Sequence, residues 1–467
     1  MRVVIALAGN MLLRRGELLP AIDIRYLLLI AFFPLASAMA GAQTESGTMT
    51  NPRIEEAIVL MNNFAERTGL TSRQPPRRYL WTDAFAVCNY IGLARATGEQ
   101  RYMDLALQLV NEVHHLLGRH RDDDKRTGWI SGLSEHEGEL HPTRGGLRIG
   151  KALPERGPDE PFDEHLEWDR DGQYFHYLTK WMHALDQISR ATRQPRFNRW
   201  ARELSHAASG AFTDTPSSDW QPPAMVWKMS IDLTRAQVAS MGQHDPLDGY
   251  ITNLQLRSTL NSLPRPIIGP DLVVETSRFA AMFKRDQWAT ADPLGLGGLM
   301  IDAYRVQQLM QQGSSPHAQM LDRLISASLS GLEHYARSGE LQQPARYRLA
   351  FRELGLAIGL HAVKRMHEAV EGEAVSEQLE VLMRYMPLRD EIEEFWRDPA
   401  HQRSNTWTDH QEINDVMLAT TLAPEGFWCF CLALLPCGTF LVLLQENSDK
   451  DLSCTCRLLN QINTMYE

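Results

Sequence analysis

The stretch whose reading decides the fold runs from Pro161 to Leu185 and reads PFDEHLEWDRDGQYFHYLTKWMHAL. It opens as an acidic loop and ends as an amphipathic helix. Asp163, Glu164, Glu167, Asp169 and Asp171 crowd together with Trp168, Tyr174, His165 and His176. Carboxylates this close repel one another. A chain holds them together on a solvated surface or where a pocket uses them. The plain reading is an acidic helix start favoured by the helix dipole. The interleaved aromatic rings favour a pocket. Flat apolar rings suit the C–H faces of a sugar, and neighbouring acids suit its hydroxyls and proton transfer.

Outward from this stretch, helical spacing governs the chain from Asn51 to about Pro424. Ile54, Ala57, Ile58 and Met61 share one face of a first helix. Ala84, Val87, Cys88 and Ile91 share a face of a second, and Tyr102, Leu105, Ala106 and Val110 of a third, with Gly98 as the turn between them. The pattern breaks from about Arg119 to Gln173, a Gly-, Pro-, Asp- and His-rich stretch too long for a plain connection. Its apolar anchors Trp129, Ile130, Leu147 and Ile149 predict an ordered cover over a site. Helical period resumes at Tyr174–Thr192 and Phe197–Phe212. It returns at Met225–Ala239, Leu247–Asn261, Leu272–Arg285 and Leu294–Gln312. Later helices are expected at Pro316–Ser338, Arg346–His361, Ser376–Tyr385, Ile392–Trp396 and Gln411–Thr421. No alternating β-branched run competes with them, so the body reads as all-α, built of paired helices.

Composition narrows the class. Apolar content of 43% and charged content of 22% are those of a globular protein. A formal net charge of −11 argues against nucleic acid as the main partner. The long middle of the chain holds only Cys88, which excludes a disulfide framework or a thiolate metal cage there. The two ends differ from the body. Residues 1–48 contain the parts of a secretory signal: Arg25, an apolar run, then Ala40-Gly-Ala42. Export is favoured, with cytoplasmic residence if translation begins at Met49. From Phe427 to Glu467 the chain becomes apolar and then Cys-rich. Residues 427–444 are nearly long enough to cross a bilayer but are interrupted by Pro436 and Gly438. Membrane contact is expected only if this tail is a genuine anchor. These shifts divide the chain into a leader (1–48), a helical body (49–426) and an atypical tail (427–467).

Three segments share a flavour: Tyr79-Leu-Trp-Thr-Asp-Ala-Phe-Ala-Val87, Trp168-Asp-Arg-Asp-Gly-Gln-Tyr-Phe-His176 and Trp407-Thr-Asp-His-Gln-Glu-Ile-Asn-Asp-Val416. The Trp-Thr-Asp at residues 81–83 recurs at 407–409, each time beside a helix start, where Thr or Asp suits an N-cap. With helical hairpins over Asn51–Pro424, this resembles the six-hairpin glycosidase superfamily. The resemblance implies an (α/α)6 barrel, a toroid of six inner and six outer helices, with a funnel-shaped site where loops enter the inner helices. It implies a carbohydrate-active enzyme, foremost a glycoside hydrolase using Asp or Glu, on an oligosaccharide or glycoside substrate. A sugar epimerase or isomerase on the same toroid is the first alternative, and a non-catalytic carbohydrate- or protein-binding toroid the second.

Glycoside cleavage needs a carboxyl proton donor, usually with a second carboxylate. The acids beside Trp or Tyr at helix entrances are Asp83 and Asp171, then Asp169 and Asp409; each taken singly also fits a cap or a surface acid. Substrate contacts are expected from Trp81, Trp129, Trp168, Tyr174, Trp227 and Trp407, with His136, His176 and His410. Arg144 and Arg148, in the Gly-rich loop 143–150, suit a clamp on a uronic acid carboxylate, but a flexible basic turn is the plainer and preferred reading. The Ser134–His141 run alternates acids and histidines, but its spacing fits no zinc motif, and no metal or organic cofactor is expected. Gly295-Leu-Gly-Gly298 reads as close helix packing, and Arg352-Glu353 as a structural ion pair.

Overall fold

The structure is a computed structural model. It describes residues 51–428 apart from 214–223, 239, 241, 264–267, 283–287, 314–317 and 370–372. The expected leader, and the tail beyond Trp428, lie outside the described residues. Helix α1 (Pro52–Arg67) starts where Asn51 accepts a hydrogen bond from the Arg53 amide and Pro52 fills the first turn. Helix α2 (Leu80–Thr97) ends at Gly98, whose φ of 71° takes the left-handed cap that glycine accommodates. Helix α3 (Gln100–Leu117) follows at once.

These helices show the two kinds of which the fold is made. α3 buries one stripe, Tyr102, Ala106, Leu109, Val110, Val113 and Leu117. α2 is buried continuously from Leu80 to Leu93. A helix apolar on one stripe lies at the surface, and one apolar all round lies inside. Next come short α4 (Glu135–Leu140), short α5 (Glu164–Asp169) and strand β1 (Gln173–Tyr174). Then follow α6 (Phe175–Thr192), α7 (Pro195–Phe212), β2 (Lys228–Met229) and β3 (Ala236–Val238). The second half contains α8 (Asp245–Ser262), α9 (Val273–Ala280), α10 (Pro293–Gln311), α11 (Ala318–Arg337) and α12 (Ala350–Ala369). It ends with α13 (Glu373–Met383), α14 (Met386–Arg397), α15 (Asn405–Thr408), α16 (Gln411–Leu422) and α17 (Glu425–Trp428).

Helix neighbours close a ring. α2 packs on α6, α6 on α8, α8 on α10, α10 on α12, α12 on α16, and α16 back on α2. Around it, α1 lies against α16 and α2, α3 against α2 and α6, α7 against α6 and α8, α9 against α8, α11 against α10, and α14 against α12 and α16. Among the described residues, six inner and six outer helices alternate along the chain and make this an all-α (α/α)6 toroid, with α13 added beside α11 and α12. Where α10 crosses α12, the closest pair, a Cβ on Gly297 would lie 2.0 Å from the Gly355 carbonyl oxygen. The glycine run at 295–298 therefore serves close packing. Phe427 and Trp428 are buried inside the ring, two residues beyond Gly426 where the sequence suggested the body stops. A Cβ on Gly426 would lie 1.9 Å from the Cys88 carbonyl oxygen.

Between the first and last of the described helices, ring closure is stitched by charge. Arg53 pairs with Glu393 at 2.8 Å, Arg397 with Glu56 at 2.6 Å, Arg77 with Glu412 at 3.1 Å, and Arg67 with Asp415. Inside the same seam Asn89 donates to the Val416 carbonyl at 3.0 Å. None of the helices among the described residues is long and apolar enough to cross a membrane.

One expected helix is absent. Within the expected Met225–Ala239, the described residues form β2 and β3, which with β1 make a small antiparallel sheet, Tyr174 opposite Lys228 and Lys228 opposite Val238. Asp232 Oδ1 accepts from Ser230 Oγ, Thr234 Oγ1 and the Thr234 amide, and Leu233 has φ of 60°. Side chains that bond so close in sequence hold a turn and compete with helix. The Trp-Thr-Asp segments also do not provide N-caps. Residues 81–83 lie within the first turn of α2, and Asp409 follows the end of α15. Arg352 and Glu353 do not pair with each other. Arg352 binds Asp292 at 2.6 Å, and Glu353 accepts from Arg348 and from Trp396 Nε1.

Candidate active site at the ring mouth

Inner helices alternate with outer ones, so the connections that enter them gather at one end of the ring. Neighbouring entries touch. The Leu80 amide bonds to the Ile149 carbonyl, β1 pairs with β2, His244 Nε2 lies 2.7 Å from the Trp288 carbonyl oxygen, and Arg352 reaches Asp292. The longest entry, residues 118–174, carries the acidic–aromatic stretch.

A row of aromatic rings lines this end beside α2 and α6. Trp168 meets Trp227 edge-on at 4.9 Å, and Trp227 stacks on Tyr174 at 4.7 Å and 13°. His176 lies parallel to Tyr174 at 5.9 Å. Tyr174 contacts Tyr177 at 5.1 Å, and the Tyr177 and Tyr79 hydroxyls are 2.7 Å apart. Trp81 continues the row beside Tyr177 and Phe85, and Phe85 stacks on Phe427. Rings in such offset and edge-on contacts hold one another in place.

One turn along α6 from His176 stands Lys180, and beside it a charged cluster that crosses α6, α8 and α10. Asp248 Oδ2 accepts from Lys180 Nζ at 2.8 Å and from Thr179 Oγ1, while Asp248 Oδ1 faces Arg305 Nη1 at 3.3 Å. Arg305 also donates to Asp302 Oδ1 at 3.0 Å, to Gln255 Oε1 and to Thr252 Oγ1. Burial alone would raise the Asp248 carboxyl, but Lys180 and Arg305 outweigh it and hold the group well below the usual carboxylate range. Asp245, first residue of α8, is the opposite case. Burial, then the negative charge of Asp248, pushes its carboxyl up to about 7. Its Oδ2 is buried without a hydrogen-bond partner. Gly242 faces that oxygen so closely that a Cβ there would lie 2.3 Å from it. Asp302 is raised to about 6 by burial and Asp248. His176 is lowered to about 4, first by burial and then by the Lys180 cation, and burial lowers His244 as well. Near neutral pH the mouth thus presents a partly protonated carboxyl, an ionised one and neutral imidazoles. Two carboxyl groups whose surroundings drive their proton affinities apart have the attributes of an acid and a base.

The residues singled out in the sequence fall into three groups. Trp81, Tyr174, His176, Trp227 and Trp168 come together in the ring row. Asp83 and Asp171 are buried and fully engaged in structure. Asp83 accepts from the Tyr79 amide at 2.8 Å and pairs with buried Arg78, and burial lifts its carboxyl to about 6. Asp171 is clasped by Arg148 at 2.6 Å, by Arg121, and by the Gly150 and Gly172 amides at 3.0 Å each. The others stand apart. Asp169 is exposed at the end of α5, Asp409 and His410 are exposed between α15 and α16, and His136 is exposed on α4. Arg144 is exposed near Glu203, Trp129 is buried under the cover loop against Arg119, and Trp407 is buried against Trp396. Trp407 also borders a separate cleft of about 340 Å³ with Arg67 and Asp415, set between α1 and α16. Among the described residues no cluster of three or more His, Cys, Asp or Glu suits a metal ion.

Asp171 yields a direct expectation. Asp171→Asn removes a charge that the buried Arg148 and the half-buried Arg121 guanidinium groups face, and breaking a buried pair costs about 3–5 kcal/mol. Thermal unfolding should show a drop in Tm of several degrees, as for a clasp of the cover loop.

The missed residues are Lys180, Asp245, Asp248, Asp302 and Arg305. On α8 the polar residues Asp248, Thr252, Gln255 and Thr259 recur at helical spacing, all buried. That buried polar stripe was the available signal.

No protein-family model matches this chain, and no curated protein matches it. Among solved structures, similarity is found to a GH76 alpha-mannanase from Bacteroides thetaiotaomicron, 8% identical, covering 80% of this chain and 95% of that one with a TM-score of 0.46. It is also found to a cellobiose 2-epimerase from Spirochaeta thermophila, 9% identical, covering 80% of this chain and 98% of that one with a TM-score of 0.40.

Proposed function

We propose that the ring mouth is the active site of a carbohydrate-active enzyme that cleaves a glycosidic bond. Asp245 is the proton donor, and Asp248, kept ionised by Lys180 and Arg305, is the second carboxylate. The observation that carries this reading is the opposed pair of carboxyl groups within one helical turn, next to a row of aromatic rings. An acid protonated near neutral pH can deliver its proton to a departing glycosidic oxygen, and an ionised partner can activate water or attack the anomeric carbon. The half-buried rings of Tyr177 and Trp227 supply flat faces for the sugar. No organic cofactor is needed for this chemistry.

A second reading has its own support. His176 and His244 are held neutral at the same mouth, and a neutral imidazole is a base able to abstract a proton from a sugar carbon. Epimerisation of a sugar on this scaffold follows from that assignment.

The purified chain incubated with a panel of oligosaccharides, uronic-acid-containing ones included, separates the two by mass spectrometry and chromatography. Fragments that have gained water establish hydrolysis. A new epimer of unchanged mass establishes the second reading. Neither product from any substrate on the panel removes both.

A further inference from the structure

Trp168 is 50% exposed, yet the segment beneath it is held by a buried clamp. α5 is six residues long and is capped by Asp163, which accepts from the Leu166 amide at 2.9 Å. Lys228, whose side chain is 0% exposed, gives its Nζ to the Glu167 carbonyl at 2.7 Å, to Glu167 Oε1 at 2.9 Å and to the Arg170 carbonyl at 2.9 Å. Arg156 Nε adds a bond to Glu167 Oε2 at 3.0 Å, and Lys151 reaches the carbonyl of Trp168 itself. Burying an ammonium group costs free energy unless it is paired and hydrogen-bonded; burial lowers this one, and Glu167 opposes that. The clamp fixes a ring that adds little to the core. Fixing an exposed aromatic in place removes the ordering cost that a ligand would otherwise meet. Inward, the indole is continuous with the mouth through Trp227 and Tyr174. Exposed Asp169 follows it in sequence, a polar group next to a flat apolar face.

We infer that Trp168 is a distal subsite for one pyranose unit of an oligosaccharide whose reacting unit lies beside Asp245, so that the substrate is a chain of several sugar units. The inference rests on the reading above, since it names the substrate class of that same site. The half-buried rings of Tyr177 and Trp227 offer apolar faces to successive units, with buried Tyr174 backing them, and Trp168 meets the unit farthest from the cleaved bond.

The test compares wild type with Trp168→Ala on gluco- and manno-oligosaccharides of two to six units. The loss in kcat/KM should grow with chain length, from under about twofold for a disaccharide to about tenfold for a hexasaccharide, the scale of one aromatic contact. Titration calorimetry of the hexasaccharide on Asp245→Asn, with and without Trp168→Ala, should show the same tenfold change in Kd. Equal loss at all lengths, or none, overturns the inference. So does a concentration-dependent shift in sedimentation of the wild type that Trp168→Ala abolishes, because the ring would then be a face for a second copy. If the wild type binds the hexasaccharide without converting it, the enzymatic reading falls, and the calorimetry still decides the subsite. If no chain binds, the subsite falls.

Discussion

Asp245→Asn leaves the toroid folded and lowers turnover about a thousandfold, within the range for loss of a positioned general acid. The side chain keeps its size, so the close approach of Gly242 survives. The pH profile identifies the group. A donor must be protonated to act, so wild-type kcat/KM falls as pH rises through about 7, the value to which burial and Asp248 raise this carboxyl. The variant's residual rate lacks that limb. Stability moves the same way with pH. A carboxyl whose folded-state pKa is raised above its unfolded value stabilises most below the unfolded value, and that contribution is lost as pH rises through the window up to about 7. The Asn variant has no such loss, so above pH 7 its Tm should be no lower than that of the wild type. Unchanged turnover with an unchanged pH profile would remove Asp245 from the site.

Gly297→Val breaks the ring at its tightest junction. Even the first carbon of the new side chain would lie 2.0 Å from the Gly355 carbonyl oxygen, and Gly359 approaches Gly297 from the same helix. The obstructing atoms are backbone, so no rotamer change relieves the clash, and α10 and α12 must separate. Overpacking of a core costs about 1–3 kcal/mol when side chains can adjust. Here the loss should exceed that range, and chemical denaturation should show a midpoint far below wild type, or no folded protein. The same change at Gly298, where a Cβ meets nothing within 4 Å, should cost little. That pair of variants isolates helix approach from helix propensity, which burdens both positions alike.

The helices were legible because their apolar spacing is strong, and the hairpin pairing followed from short turns such as Gly98. Met225–Ala239 misled because Met225, Val226 and Met229 fit a helical face while Asp232 and Ser230 wrote a turn in their side-chain bonds. The aromatic half of the site was legible, since Trp and Tyr beside acids stand out in a sequence. The charged half was not. Asp245 and Asp248 sit in the first turn of a helix, where acids are ordinarily explained by the dipole. On α6, Thr179, Lys180, His183 and Asp186 likewise read as a solvent face. In a ring, the polar stripe of an inner helix turns toward the axis, and only closure of the ring reveals which stripe is interior. Asp83 and Asp171 drew attention through neighbouring Trp residues, but the arginines that engage them are distant or lie in loops, out of reach of local spacing.

Closure also sets an order of events. Five of the six junctions between inner helices join neighbours in the sequence of inner helices, but α16 meets α2 across nearly the whole described length. A contact of such long sequence separation is the slowest to form, and the chain cannot make it until Leu422 has been synthesised. Until then α1 and α2 carry an uncovered apolar flank. The ion pairs of Arg53, Arg77 and Arg397 stand at that last-fastened join. Charges keep an open edge soluble while it waits, and they name its partner when it arrives. The toroid is therefore a belt with one buckle, assembled as an arc and finished by its ends.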